Sequence, residues 1–183
     1  MTSALIQTER LELTPLSLSD ASDIRDYYVE NAAHLDPWEP ARNADFHTLE
    51  AWRGRIRTAE TELETGQALK LVMRRKNEQP IIGVCNFTNI VRGPFQACTL
   101  GYSIAAPAQG SGLMHEALSA AIQHMFDHHR LHRIMANYLP ENERSAHLLQ
   151  RLGFKIEGRA KSYLHIAGAW RDHILTARIN EDY

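Results

Sequence analysis

The chain has 183 residues, enough for one well-buried α/β domain spanning residues 1–183 and short for two. Its 20 Lys and Arg against 22 Asp and Glu leave no basic excess, so no direct nucleic-acid binding is expected. Met1 to Arg10 lacks the apolar core of a leader, and no apolar run approaches the ~20 residues of a membrane span, which predicts a soluble, cytoplasmic protein with no membrane partner.

Arg10 to Leu16 alternates apolar and polar residues and reads as a first strand, closed by Pro15 with Ser19 or Asp20 as helix caps. A helix is predicted from Asp20 to about His34. Pro37-Trp38-Glu39-Pro40 breaks the chain into a loop, and Thr48 opens a second helix that runs to Gly66. Leu69 to Arg74, Ile81 to Ile90 and Ala97 to Ile104 read as three strands of an antiparallel meander. A helix to about His129, a strand from Arg133 to Tyr138 and a helix near Asn142 to Leu152 follow, the last stopped by Gly153. Phe154 to Ile179 closes the chain as two long strands turning at Ala167-Gly168.

The meander predicts that Cys85 sits opposite roughly Tyr102 and Cys98 opposite roughly Asn89, so the two cysteines do not pair. Both read as small buried hydrophobes. Strand-helix-strand crossovers in the second half require one locally parallel pair inside an otherwise antiparallel sheet.

Gln109, Gly110, Ser111, Gly112, Leu113 and Met114 join the third meander strand to the following helix. A glycine-rich turn feeding a helix N-terminus offers free N–H groups at a positive dipole end, a place for a phosphate. No lysine lies between Lys76 and Lys155, which excludes a Walker A loop, and His115 stands where a dinucleotide fingerprint needs its last glycine. Gln109, Gly112 and Met114 resemble the pyrophosphate loop of the GNAT N-acyltransferases, although that family prefers Gly or Ala at the place of Met114. The resemblance implies acetyl-CoA as cosubstrate. It also implies a single domain of mixed, mostly antiparallel sheet, flanked by helices and splayed at the coenzyme site. Pro107 fits a strand ending before the loop, and the backbone groups of Tyr102, Ser103 and Ile104 would then be free for the coenzyme.

In the same family an Asn at the start of the second-half helix contacts the pantetheine arm; Asn142 and Gly153-Phe154 match that spacing. The tyrosine that commonly protonates the departing thiolate is replaced here by Leu149. Ser145, one turn after Asn142, is the nearest hydroxyl, and two roles stay open for it: proton donor, or a first-turn serine satisfying backbone groups.

The stretches His34 to Pro40, Ile81 to Phe87, Leu100 to Ile104, His132 to Tyr138 and Trp170 to His173 resemble the ribosomal-protein-alanine N-acetyltransferases of the RimJ type. This likeness implies acetylation of the N-terminal alanine of a small-subunit ribosomal protein, with ribosome association and oligomeric state left open. An α-amine has a reference pKa of about 7.7 to 8.0 against ~10.4 for lysine, so its deprotonation costs ~3.4 kcal/mol less and a weak base suffices. Glu39 is a candidate to hold the ammonium and relay its proton, or is a carboxylate in a turn. Glu157 either reaches the cleft as a substrate-binding group or pairs Arg159 or Arg178. Trp38, with Tyr27 or Tyr28, is a candidate wall for the acceptor, which would lie in an open groove between the Trp38 loop and the terminal hairpin.

Ten histidines include His124 and His128 one turn apart, but His115 faces the other way and no metal is expected. Three readings follow: an N-terminal acetyltransferase, a GNAT enzyme for a small amine such as a polyamine, amino acid or drug, and a coenzyme-binding, ribosome-associated module with little catalysis.

Overall fold

The computed structural model describes residues 5–183; Met1 to Ala4, part of the stretch read above for a leader, lie outside the described residues. The strands are β1 (Ile6–Gln7), β2 (Leu11–Pro15), β3 (Leu69–Arg75), β4 (Gly83–Val91), β5 (Ala97–Ile104), β6 (Arg133–Met135), β7 (Lys155–Ile166) and β8 (Ala169–Ile179). The helices are α1 (Ala21–Glu30), α2 (Ala32–Leu35), α3 (Leu49–Glu64), α4 (Leu113–Asp127) and α5 (Glu143–Arg151). All eight strands join one sheet in the order β1-β2-β3-β4-β5-β6-β8-β7, antiparallel throughout except for the β5–β6 pair. The single domain is a mixed, mostly antiparallel sheet flanked by helices.

The sheet separates two cores. On one face Leu11, Leu13, Leu71, Cys85, Phe87 and Leu100 pack against Leu118, Ile122 and Met125 of α4. On the other, Val72 and Val84 meet Ile24 and Tyr28 of α1 and Trp52 and Ile56 of α3. Period-two alternation along β4 and β5 decides which side chains each face receives.

Thr48 caps α3 by accepting from the Ala51 N–H at 3.2 Å. The helix expected from Asp20 to His34 is instead two pieces, because Asn31 leaves helical geometry at φ −104°, ψ 9° while its side chain donates back to the Tyr27 carbonyl. Strand β1 is an addition: two residues carry no readable alternation. Cys85 faces Tyr102, while the β4–β5 register shifts between Thr88 and Val91 and leaves Cys98 opposite that bulge. Both cysteines are buried and free.

Candidate active site

Gly110 and Gly112 both take left-handed backbone angles, φ +74° and +79°, at the entry to α4. The turn leaves the N–H groups of Gly110, Ser111, Gly112, Leu113, Met114 and His115 without a backbone acceptor among the described residues. Ser111 Oγ donates to the Ala108 carbonyl at 2.9 Å, while the Ser111 carbonyl accepts from Arg10 Nη1 at 3.0 Å. Arg10 is fixed in turn by Glu116, with Nε to Oε2 at 2.7 Å. Burial works to raise the Glu116 carboxyl, but hydrogen bonds from Thr8 and Arg10 prevail and hold it below the usual range. The Leu113 and Met114 side chains are buried in the α4 core, so only their backbones are available to a ligand. Gln109 is a strut. Its Nε2 donates to His34 Nε2 at 2.8 Å and its Oε1 accepts from Arg144, which brings a guanidinium from α5 beside the loop.

Strands β5 and β6 pair only at Ala97–Arg133, Cys98–Ile134 and Thr99–Met135. Beyond Met135 the chain follows β8 instead, through Ala136 N to Thr176 O at 3.0 Å and Tyr138 N to Ile174 O at 3.2 Å. A gap therefore opens along Leu100 to Ile104. Ala105 N donates to Ile82 O, and Val84 faces Ser103, so alternation turns the backbone groups of Ser103 toward β4 and those of Tyr102 and Ile104 into the gap. This corrects the sequence reading: the Ser103 backbone is used in the sheet, leaving Tyr102 and Ile104 for a ligand. Pro107 lies in the 3-10 turn Ala106–Ala108 that links the strand to the glycine loop.

Across the gap, Asn142 caps α5, its Oδ1 accepting from the Ser145 N–H at 3.1 Å. Capping occupies the oxygen and leaves Nδ2 as a donor. The Tyr102 hydroxyl is buried with no hydrogen-bond partner among the described residues. Burial pushes this phenol up to about 12, with the neighbouring Ser145 hydroxyl working in the opposite direction. Leu149 is buried in the α4 core.

The opposite face of β5 carries the Ser103 hydroxyl, which shares a 2.9 Å hydrogen bond with Tyr27. Burial pushes the Tyr27 phenol up, and the charge of Glu39 adds to that rise. Burial raises the Glu39 carboxyl itself, against the pull of Arg42 at 2.6 Å. Tyr27 and Tyr28 are buried, whereas Trp38 is 40% exposed. The Glu39 carbonyl accepts from the Ala167 N–H at 3.0 Å, so the expected open groove between the Trp38 loop and the terminal hairpin is bridged at that point. Glu157 is elsewhere. Both its oxygens accept from Arg133 at 2.8 Å, at the closed end of the β5–β6 pair, so it neither reaches the gap nor pairs Arg159 or Arg178. Arg159 bonds Asp172 instead.

Reading the sequence missed Arg10, His34 and Arg144. Each acts through a partner more than 30 positions away, and no local pattern marks such a contact. Among the described residues, no three His, Cys, Asp or Glu side chains are placed to hold a metal ion.

A row of N–H donors suited to a pyrophosphate, one short turn beyond an unpaired strand edge able to bond an amide-bearing arm, fits acyl transfer from coenzyme A. An acetyltransferase (GNAT) domain model matches residues 10–155. The ribosomal protein uS5-alanine N-acetyltransferase of Escherichia coli is 47% identical over 178 residues, covering 97% of this chain and 92% of that protein. The crystal structure of the ribosomal-protein-S5-alanine acetyltransferase of Vibrio fischeri superposes with a TM-score of 0.93 at 44% identity, covering 97% of each chain. Mycobacterium smegmatis RimJ, solved in complex with CoA-disulfide, gives a TM-score of 0.89 at 32% identity over 94% of this chain and 83% of that one. The chain belongs to the GNAT acetyltransferase family.

Proposed function

We propose that the protein transfers the acetyl group of acetyl-CoA to the N-terminal amine of an alanine-initiated ribosomal protein of the uS5 kind. The observation that carries this reading is the unpaired Tyr102 and Ile104 edge followed, one short 3-10 turn later, by the free N–H row of the glycine loop, in a chain 47% identical to an enzyme of that name. The single domain works in the cytoplasm, on ribosomal protein free or at the ribosome.

When bound, the coenzyme supplies an acyl group activated as a thioester. Gly110 to His115 hold its pyrophosphate through backbone N–H groups, and Arg144, set by Gln109, adds positive charge. Tyr102 and Ile104 bond the arm through their backbones, with the Asn142 Nδ2 opposite. The Ile104 N–H is the donor for the negative charge that develops on the acyl oxygen. As the carbon–nitrogen bond forms and the carbon–sulfur bond breaks, Ser145 gives its hydroxyl proton to the departing sulfur and regains one from the acylated amine through water. On the other face Glu39, whose raised carboxyl is better matched to an α-amine than an ordinary glutamate, takes the ammonium proton through water. The Trp38 loop forms the wall behind the acceptor.

Incubation with acetyl-CoA and an Ala-initiated ribosomal peptide, beside spermidine, tests this by thiol release. Turnover is expected on the peptide alone. Ser145→Ala is expected to lower kcat by about tenfold or more with KM nearly constant, as for loss of a proton donor. Acetylation of spermidine but not peptide would favour a small-amine enzyme, and coenzyme binding without turnover on any amine would favour a non-catalytic module.

A further inference from the structure

The sheet face that carries the Ser103 hydroxyl also holds a cavity of about 270 Å³ that the transfer chemistry leaves unused, walled by Trp52 and Arg55 of α3, Lys70 of β3 and Asn86 of β4. Its polar groups are mostly donors. Trp52 is 6% exposed, and its Nε1, like Arg55 Nη1, is shut off from solvent and reaches no acceptor among the described residues. The Arg55 guanidinium rests against the rings of Phe46 and Trp52, at 4.6 and 5.4 Å from their centroids, and no carboxylate among the described residues pairs with it. Lys70 is already matched by Glu62 at 2.7 Å, so that carboxylate is neutralised and does not compete for the guanidinium.

The cavity is continuous with the acceptor side. Asn86 stands opposite Gly101, and a side chain at Gly101 would meet nothing within 4 Å, so the floor from Ser103 past Gly101 to Asn86 is open. Two strand residues span ~7 Å, and an extended polypeptide advances ~3.3 Å per residue. A chain whose first amine lies at Ser103 thus brings a side chain from its second to fourth position to Arg55. An unpaired guanidinium with an indole N–H beside it matches the geometry of a carboxylate, which accepts two parallel bonds from the fork.

We propose that this cavity is a specificity pocket for an acidic side chain, Asp or Glu, at position two, three or four of the acceptor polypeptide, read by Arg55 together with Trp52. The proposal rests on the acetyltransferase reading above and deepens it. The test uses Ala-initiated peptides carrying a single Glu or its Gln counterpart at each of the three positions, followed by thiol release. One Glu peptide is expected to exceed its Gln counterpart about tenfold in kcat/KM, chiefly through KM. Arg55→Gln is expected to bring the pair to equality while acetyl-CoA affinity stays at its wild-type value, and Arg55→Lys to keep part of the preference. Equal rates on Glu and Gln peptides at all three positions in the wild-type protein overturn the pocket and leave the acetyltransferase reading standing, as does a Glu preference that survives Arg55→Gln. If Arg55→Gln does not fold, the wild-type comparison and Arg55→Lys decide alone. Absence of thiol release with every peptide overturns the acetyltransferase reading and the pocket with it.

Discussion

Burial pushes the thiols of Cys85 and Cys98 each up to about 12, for Cys98 against the pull of Arg92. An acid whose folded value lies above its ordinary value of 9.0 keeps its proton in the native state while the unfolded chain sheds it. Stability from these groups is therefore intact below pH ~9 and declines between ~9 and ~12, by on the order of 1 kcal/mol per thiol per pH unit. Denaturant midpoints are expected to fall from pH 8 to 10.5, with a shallower fall in the double variant Cys85→Ala, Cys98→Ala. An identical slope in that variant would place the titration elsewhere. At this scale the sequence was most informative where one residue acts alone: the cysteines read correctly as buried hydrophobes that do not pair. It was least informative where a side chain serves a distant group. Glu157 read as a cleft group or a partner of Arg159 or Arg178, because Arg133, its actual partner from another strand, is 24 positions away. Asn142 read as a ligand contact, and its additional work as a cap appears only once α5 exists.

The entry to α4 gathers six N–H groups without a backbone acceptor, among the described residues, at one element boundary. Gly112 precedes the helix at φ +79°, a conformation that costs an L-residue with a side chain about 1–2 kcal/mol, and Arg10 Nη2 lies 3.6 Å from where a Cβ would sit. Gly112→Ala is expected to weaken coenzyme binding by about tenfold, measured calorimetrically, because the turn relaxes toward angles that no longer aim its N–H groups together. A far smaller loss would mean that the turn does not hold the pyrophosphate. Most helix and strand limits were legible from punctuation: Thr48, Gly66, Gly153 and the Ala167-Gly168 turn each stand where an element begins or ends. The exceptions have physical causes. Asn31 breaks the first helix by bonding the preceding turn, a choice that composition alone does not reveal, and strand β1 exists because the edge of β2 is available to pair with it.

Across the whole molecule, only three residue pairs join β5 to β6, and beyond them the edge of β5 is free among the described residues. Because ladder bonds alternate sides, the amides of Ser103 and Ala105 are committed to β4 while those of Tyr102 and Ile104 are not. Hydrogen exchange resolved by residue is expected to be fast at Tyr102 and Ile104 and slow at Ser103 and Ala105, with acetyl-CoA slowing only the fast pair. Equal exchange at all four would sink this account of the gap. The parallel pair was legible from element order and the splay from the resemblance to the GNAT family; the alternation within the splay was not, because it needs the β4–β5 register. The contact between the Glu39 carbonyl and the Ala167 N–H fastens the Trp38 loop to the turn of the terminal hairpin. The same residue's carboxylate is gripped by Arg42, so Glu39 is tethered at both its main chain and its side chain. Altering the length of that distant turn therefore displaces a half-buried acid that lies far from it in the chain.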